Sequence, residues 1–440
     1  MRLLNCYAIQ APPEGRSPIS VQGMAGIRAF AAITPSPQRA AIQFGGTLYS
    51  VAGGTFYSVS SAGVETSIGS VTASGSVDIA KNTGQITILV EPDLWVYESG
   101  VLTQITDTDF TSRGAKKMAV LDNFGGFIEP NSGRFFICDL ADFTVYDPLD
   151  FATAESAPDD LVSIEANSSQ FVLFGEDTTE LWDNVGGSGF PFVKVTGGVI
   201  ECGCAGKDAT TVADNTVWWL DPDRIFRKLE GITPRRISND GTEQQWQDYA
   251  SVDDAFVYSY IYDGHTFIVV RFPTAGATWG YDINTGEWHE RQSYGYDHWR
   301  AAWVVKCYGK ALVGDTQTGN IGEIHATTYS EWGDILSREA TTGVIRDGGR
   351  RLFHDRLELD VEVGQGLESG QGSDPVMMMD QSDDGGINFT AKPNFSLGTT
   401  GQTRKRVHRN ALGSSYQRVY RFRQTDPVPF GIHAGQLDVR

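Results

Sequence analysis

The chain has 440 residues and a formal net charge of −20, with 55 acidic against 35 basic residues, and 20% of its residues are charged. This length exceeds what one small core needs, the low share of charged residues excludes a disordered tail or a coiled coil, and the acidic balance excludes ordinary DNA binding by counterion release. Fifty glycines and 11% aromatic residues are typical of strands and turns rather than helices.

The N-terminal segment and the cysteines indicate the compartment. MRLLNCYAIQAPPEG lacks a long apolar run and a small-residue cleavage site, so we expect a protein made in the cytoplasm without a signal peptide. No apolar run approaches the roughly 20 residues that cross a bilayer, which predicts no membrane-spanning segment. Five cysteines are an odd, sparse set, which predicts free thiols. Cys202 and Cys204 have the spacing of half a zinc site, but no second pair follows, and we expect no metal and no cofactor.

Blocks of alternating apolar and polar residues, separated by glycine-marked turns, recur along most of the chain. They begin near Ile42, Val77, Met118, Val162, Thr211, Phe256 and Ala301. A spacing of about 35 to 50 residues is that of four-stranded propeller blades. We predict an all-β protein with a β-propeller of about six or seven blades over residues 41–335, after an N-terminal arm, residues 1–40, that closes the propeller or contacts partners. One large β-sandwich is the alternative.

Two blocks contain the same turn sequence, Asp-x-x-Thr-Gly. Its ends are Asp282 and Gly286 in the first copy and Asp315 and Gly319 in the second. An aspartate folds its side chain onto nearby amides, and glycine takes a positive φ at little cost, so the sequence favours a tight hairpin. We interpret these four residues as structural turn residues.

The sequence changes character near residues 335–345, and residues 336–440 predict a smaller antiparallel β domain. Within it, SDDGGINF at residues 382–389 fits the Asp-box spacing of sialidases and related propellers, a hairpin turn that lies away from catalytic centres. In this interpretation Asp384 accepts backbone amides and Gly386 makes the bend. The motif therefore predicts a stable turn and not a glycosidase.

A basic stretch follows the Asp-box motif. Between Asp384 and Asp426 the chain has no acidic residue, while nine side chains are basic: Lys392, Arg404, Lys405, Arg406, His408, Arg409, Arg418, Arg421 and Arg423. We predict that a subset of them contacts DNA phosphates or an acidic partner surface, namely Arg404, Lys405, Arg406 and Arg409. The alternative is a soluble edge strand that is protected by its charge.

No group of residues predicts catalysis. Paired carboxylates occur where turns are expected, which favours solvated turn residues over a glycosidase pair: Asp159–Asp160, Asp221 with Asp223, and Asp253–Asp254. The histidines form no HExxH motif, and no GxSxG, Walker or GxGxxG fingerprint occurs between a strand and a helix. Tryptophans in or beside predicted strands are interpreted as core residues rather than sugar platforms: Trp95, Trp182, Trp218, Trp279 and Trp288. We predict that the protein is not an enzyme.

Taken in order, several segments resemble the packaged-DNA stabilisation proteins, or tail hub and nozzle proteins, of short-tailed bacteriophages. The segments are NCYA at 5–8, FFICDLADFTVYDPLDFATAESAPDDLV at 135–162, LFGEDTTELWDNVGGSGFPF at 173–192, IECGCAGKDATTVADNTVWWL at 200–220 and RRIS at 235–238. QSDDGGINF and YQRVYRFRQTDPVPF are similar to the family's ending. The resemblance covers most of the chain and is densest from about 135 to 240.

The resemblance implies a structural virion protein that contains a propeller and has no catalytic residues. It implies a homo-hexamer in the phage tail, attached below the portal and its adaptor ring, with contacts to a tail needle or plug and to tailspike or fibre proteins. Such a protein extends or closes the DNA channel, retains packaged DNA and allows its ejection, and an acidic lining lets DNA pass without specific binding. A glycan-binding or glycan-cleaving propeller is the alternative function.

Overall fold

The computed structural model describes residues 2–10, 17–33, 36–154, 157–187 and 189–440. Parts of the predicted N-terminal arm (1, 11–16, 34–35), and Glu155, Ser156 and Ser188 of the segments quoted above, lie outside the described residues. The chain forms two compact units. The propeller unit comprises Ala29–Gly276 and Arg300–Gly322, and the sandwich unit comprises Met1–Arg28, Ala277–Trp299 and Glu323–Arg440. The predicted boundaries at 40 and 335 stay a prediction.

Four strands precede the first repeated block: β1 Leu3–Leu4, β2 Cys6–Gln10, β3 Ile19–Gly23 and β4 Gly26–Ala32. The next twenty strands form five four-stranded antiparallel sheets, each a simple meander of consecutive strands. The first sheet has β5 Gln38–Phe44, β6 Thr47–Ala52, β7 Thr55–Val59 and β8 Glu65–Ser70. The second sheet has β9 Asp78–Lys81, β10 Gln85–Val90, β11 Asp93–Glu98 and β12 Val101–Gln104, and the short helix α1 Thr108–Thr111 follows it.

The remaining three meanders have the same order. The third has β13 Lys117–Leu121, β14 Phe124–Ile128, β15 Arg134–Asp139 and β16 Asp142–Thr153. The fourth has β17 Leu161–Asn167, β18 Gln170–Gly175, β19 Thr179–Asn184 and β20 Phe192–Ile200. The fifth has β21 Thr210–Ala213, β22 Thr216–Leu220, β23 Phe226–Glu230 and β24 Thr233–Arg236, followed by α2 Asp240–Gln247. Asn239 begins α2, because its side chain accepts the amide of Thr242.

Two hairpins continue the propeller unit: β25 Phe256–Tyr262 with β26 His265–Phe272, and β29 Ala301–Cys307 with β30 Lys310–Asp315. The first strands of all seven blocks contact one another in sequence, β5, β9, β13, β17, β21, β25 and β29, and β29 contacts β5 again. Seven first strands therefore close into a ring, which is the arrangement of propeller blades around an axis. The predicted block starts fall within or next to these strands, the predicted propeller is confirmed, and the alternative of one large sandwich is wrong.

The core of the propeller unit lies between neighbouring blades. Buried residues of the first and second blades share one cluster, as do those of the second and third and of the third and fourth. Leu48 and Tyr57 of the first blade pack in the same way with Trp303 and Leu312 of the seventh, so the ring is closed by apolar contact. All five tryptophans that we interpreted as core residues are buried.

The sandwich unit contains two packed sheets, which are antiparallel except where Leu4 pairs in parallel with Glu290. Its further strands are β27 Ala277–Asp282, β28 Glu287–Glu290, β32 Ser330–Glu331, β33 Asp334–Ile335, β34 Arg338–Thr341, β35 Ile345–Arg346, β36 Leu352–Val361, β37 Val376–Ser382, β38 Thr390–Ser396, β39 Val407–Asn410, β40 Ser414–Ser415, β41 Gln417–Gln424 and β42 Gly431–Val439. Strand β31 comprises Asn320–His325. One sheet has the order β28-β1-β34-β41-β37-β38, and the other has β2-β3-β42-β36-β39. One apolar cluster fills the space between them and includes Leu357, Leu359, Met379 and Phe422.

Candidate functional site

The first Asp-x-x-Thr-Gly turn joins β27 to β28. The carboxylate of Asp282 accepts the amide of Asn284 at 3.0 Å and the hydroxyl of Thr285 at 3.0 Å. Gly286 has a φ of +75° and donates its amide to the Asp282 carbonyl at 2.8 Å. Both residues hold the hairpin, in agreement with a structural role.

The second copy of the turn follows β30 in the propeller unit. The carboxylate of Asp315 accepts the amide of Gln317 at 2.9 Å and the hydroxyl of Thr318 at 2.6 Å, and it is also paired with the buried guanidinium of Arg300. The carbonyl of Gly319 accepts the side-chain amide of Gln38 at 3.0 Å. This turn therefore connects the seventh blade to the first strand of the first blade.

The Asp-box turn joins β37 to β38 in the sandwich unit. Asp384 Oδ1 accepts the hydroxyl of Ser382 at 2.6 Å and the amide of Asn388 at 2.9 Å. The hydrogen bonds from Ser382 and Asn388 hold the pKa of Asp384 well below its usual range. Gly386 has a φ of +99°, where a side chain is strained. The acceptor sites of this carboxylate are used inside the turn, so the geometry is that of a turn and not of a catalytic pair.

The predicted contact residues lie on one edge of the sandwich unit, where β38 and β39 end the two sheets. Lys405 donates to the Ser396 hydroxyl at 2.6 Å, and Arg409 stacks over the Phe395 ring with 5.1 Å from Cζ to the centroid. Arg404 is exposed in the loop before β39. The structure thus brings together three of the four predicted residues as cations at an edge.

The fourth predicted residue, Arg406, is different because it is already paired. Its guanidinium contacts both carboxylate oxygens of Glu358, at 2.9 and 3.0 Å. The guanidiniums of Arg418, Arg421 and Arg423 are also paired, with Asp383 or Asp380. Within the described part of the chain no ion pair involves the other five basic side chains, which we call the basic edge: Lys392, Arg404, Lys405, His408 and Arg409.

A charged cluster that the sequence analysis did not identify lies where the blades meet. Lys117 on β13 places Nζ 2.6 Å from Oδ1 of Asp78 on β9 and 2.8 Å from Oδ1 of Asp208, which precedes β21. Burial lowers the pKa of Lys117, but the charges of Asp208 and Asp78 outweigh burial and raise it. Glu165 on β17 belongs to the same cluster and accepts the hydroxyl of Thr210 at 2.7 Å.

We call Asp78, Lys117, Glu165 and Asp208 the axial cluster. It contains side chains from the second to the fifth blades, and Asp78 and Asp208 are 130 positions apart in the sequence. Only the position of each residue at the start of a block could have indicated it, since first strands face the propeller axis. Its carboxylates are tied to an ammonium or a hydroxyl, and the side chain of Lys117 is only 11% exposed. The arrangement therefore stabilises the ring of blades.

The carboxylates named from the sequence accept hydrogen bonds in connecting segments, but the expectation that they are solvated is wrong for Asp221, which is buried and paired with Arg227. Asp159 accepts the amides of Asp177 and Thr178, and Asp254 accepts the amide of Thr274. In the part of the chain that the structure describes, no group of three or more His, Cys, Asp or Glu side chains could hold a metal ion, and all five cysteines are free. No helix among the described residues is both long and apolar enough to cross a membrane.

Two family models match the chain, and together they cover most of both units. The family model described as "Bacteriophage P22 Gp10, beta-propeller" matches residues 3–329, and the model described as "Bacteriophage P22 Gp10, beta-sandwich" matches residues 337–440. These matches agree with the propeller and the smaller antiparallel β domain predicted from the sequence. No curated protein matches the chain.

Solved structures give only distant likenesses. The chain is similar to the computationally designed protein Ika8, with 12% identity, a TM-score of 0.42, and coverage of 68% of this chain and 99% of that one. It is also similar to the extracellular domain of a hybrid two-component system from B. thetaiotaomicron, with 9% identity, a TM-score of 0.46, and coverage of 84% of this chain and 47% of that one. The N-terminal domain of Nup159 has 11% identity, a TM-score of 0.41, and coverage of 72% and 98%.

Proposed function

We propose, from the premise that this chain belongs to the bacteriophage P22 Gp10 family of packaged-DNA stabilisation proteins, that it is a hub or nozzle subunit of a short phage tail. Membership makes it a structural protein of the phage virion. In the finer proposal it is made in the host cytoplasm, assembles as a homo-hexamer below the portal and its adaptor ring, and extends or closes the channel through which the genome leaves.

The observation that carries this proposal is the match of both units to one family of structural proteins, over residues 3–329 and 337–440. The gap between the matched regions lies beside our proposed domain boundary near residue 335. The aspartates of the three turn motifs support a structural role, since Asp282, Asp315 and Asp384 each accept hydrogen bonds within their own turn. A rigid subunit whose polar residues serve its own fold suits assembly rather than bond-making.

The net negative charge of the chain supports a channel to which DNA does not adhere. With 55 acidic against 35 basic residues, the chain repels phosphates at short range, so a channel lined by it lets DNA slide. The basic edge is the exception, because Arg404, Lys405 and Arg409 are cations without a carboxylate partner among the described residues. We assign this edge to the contact with the adaptor ring, needle or spike, since a partner surface with acidic groups would neutralise it.

The alternative of a glycan-cleaving propeller would need carboxyl groups that converge and remain open to a substrate. Carboxylates do converge at the axial cluster, but Asp78 and Asp208 share the ammonium of Lys117 at 2.6 and 2.8 Å. A glycosidase needs one carboxyl as acid and the other as base or nucleophile, about 5 to 10 Å apart across the sugar. Both carboxylates are paired with one ammonium, and we therefore propose that the cluster is structural.

The experiment compares virions produced with and without this protein by negative-stain microscopy. We expect particles without the protein to lack the distal part of the tail and to lose their genome, and we expect the protein supplied from a plasmid to restore both. Lys116→Met, a substitution outside the axial cluster, is a control variant. It should restore the distal tail and the retained genome as fully as the natural chain does. Complete tails with retained DNA in the absence of the protein would contradict the proposal.

A further inference from the structure

An apolar pocket opens from the core of the sandwich unit to its surface. A cavity of about 270 Å³ lies between the two sheets. Its walls come from both of them, with Leu359 and Leu437 on one side and Ala340 and Phe422 on the other. A pocket of this size with a mainly apolar lining can hold one apolar side chain.

The rim of the cavity shows where such a group would enter. Val21, Ile345, Ile432 and Leu437 line the cavity and are only partly buried, although each packs against the core cluster. Most of the lining is aliphatic or aromatic, so water in the pocket meets few polar partners. The cavity is thus suited to an apolar side chain from outside the unit.

The propeller unit carries a side chain of the required kind. In the pairing of β15 with β16, Phe136 faces Phe151 and Cys138 faces Tyr146, so residues 147–150 bulge out of the third blade. Leu149 stands on this bulge with 78% of its surface exposed. Its amide donates to Oδ1 of Asp147 at 2.8 Å, which holds the bulge in a turn.

The bulge at residues 147–150 has acidic side chains, and the rim of the cavity near Ile345 has basic ones. In the described part of the chain no ion pair involves Asp147 or Asp150, and burial together with the charges of Asp147 and Asp139 raises the pKa of Asp150. At the rim of the cavity, Ile345 is followed by the exposed side chains of Arg346, Arg350 and Arg351, with Asp347 among them. A leucine between two carboxylates and an apolar pocket beside three arginines are complementary in polarity and charge.

We propose that residues 147–150 of one copy dock on the sandwich unit of a second copy, with Leu149 in the apolar cavity and Asp147 and Asp150 beside the arginines that follow Ile345. This inference rests on the proposed self-assembly and names its contact. The contact is heterologous, since a propeller surface meets a sandwich surface, and a heterologous contact gives a ring when its repeated rotation closes. A buried apolar anchor within a polar rim is the usual composition of such an interface.

The first test uses a matched pair of substitutions. Leu149→Asp should reduce the amount of this chain assembled into virion tails at least tenfold. Ile387→Asp is the control, because Ile387 is as exposed as Leu149, at 80%, but lies in the Asp-box turn outside the proposed contact. Assembly of Leu149→Asp at the level of the natural chain, or equal loss in both variants, would overturn the proposal. Circular dichroism spectra should match for all three proteins.

The second test identifies the two surfaces directly. A Leu149→Cys, Ile345→Cys double variant, treated in purified virions with a short bismaleimide linker, should give a ladder of covalent multimers. Each single variant is a control for the native thiols, of which Cys202 is partly exposed. Absence of a ladder from tails that contain the double variant would overturn this contact alone. Genome loss from particles without the protein is a separate measurement, so failure of the contact is distinguishable from failure of the proposed function.

Discussion

Nζ of Lys117 lies 2.8 Å from Oδ1 of Asp208, although the two residues belong to blades that are not neighbours in the ring. Lys117 is in the first strand of the third blade, and Asp208 directly precedes the first strand of the fifth. Asp208 also accepts a hydrogen bond from Ser76, which precedes the second blade. The salt bridge therefore spans the axis of the propeller and ties several blades to one ammonium.

Removal of that ammonium should destabilise the propeller unit strongly. Lys117→Met leaves Asp78 and Asp208 as buried carboxylates without their cation, and loss of one partner of a buried pair costs about 3–5 kcal/mol. Urea unfolding followed by tryptophan fluorescence measures the change. Lys116→Met is the control, and we expect it to change the free energy of unfolding by less than about 0.5 kcal/mol, the usual limit for surface substitutions. Equal stability of Lys117→Met and the natural chain would contradict the structural role of the cluster.

The buried imidazole of His289 predicts a loss of stability in mild acid. Burial and the charge of Arg291 lower the pKa of His289 to about 3, whereas an unfolded histidine titrates near 6.5. Between these values the unfolded chain binds the proton and the folded chain does not, so stability falls as the pH falls through this window. His289→Gln should lose less stability between pH 7 and pH 5 than the natural chain does. Identical pH profiles for His289→Gln and the natural chain would contradict the prediction.

The turn glycine Gly286 should not tolerate a side chain. Its φ of +75° lies in the left-handed region, so Gly286→Ala should lower the free energy of unfolding by about 1–2 kcal/mol. Gly84→Ala is the matched control, because a Cβ at Gly84 meets open space and its φ is not in that region. There we expect no loss and a gain of at most about 1 kcal/mol from the unfolded state. Thermal melts of the two variants measure the difference, and a neutral Gly286→Ala would show that the turn relaxes.

The basic edge should be required for docking and not for folding. We expect Arg404→Glu, Lys405→Glu and Arg409→Glu together to prevent incorporation into tails, whereas far-ultraviolet circular dichroism and the unfolding midpoint stay unchanged. Arg406 belongs to the predicted group but already pairs with Glu358, so it is left out of this variant and its contact role stays a prediction. A charge-matched control is Lys81→Glu, Lys306→Glu and Arg235→Glu, spread over the propeller unit. Normal incorporation of the first triple variant would remove the basic edge from the docking surface.

The blades could be predicted from the sequence because their signals are local. Alternation of apolar and polar residues and the Asp-x-x-Thr-Gly turn involve positions a few residues apart, and the predicted block starts at Phe256 and Ala301 coincide with the first residues of β25 and β29. The hydrogen bonds of the Asp-box turn are local in the same way, since Ser382, Asp384 and Asn388 are bonded within seven positions.

The pairing of charges could not be predicted in this way. Lys117 and Asp208 are 91 positions apart, and Arg406 and Glu358 are 48 positions apart. Which cation meets which carboxylate depends on how blades and sheets pack, and composition near each residue carries no such information. The same holds for the cavity beneath Ile345, because its walls come from strands distributed over the whole sandwich unit.

The most direct test of the central claim is the fraction of packaged DNA that stays protected from nuclease in purified virions. Particles made without this protein should expose their genome, and addition of the purified natural chain should restore protection to the level of complete virions. Addition of the Arg404→Glu, Lys405→Glu, Arg409→Glu variant should not restore it. Full protection of DNA in particles that lack the protein would contradict its assignment as the subunit that retains the genome.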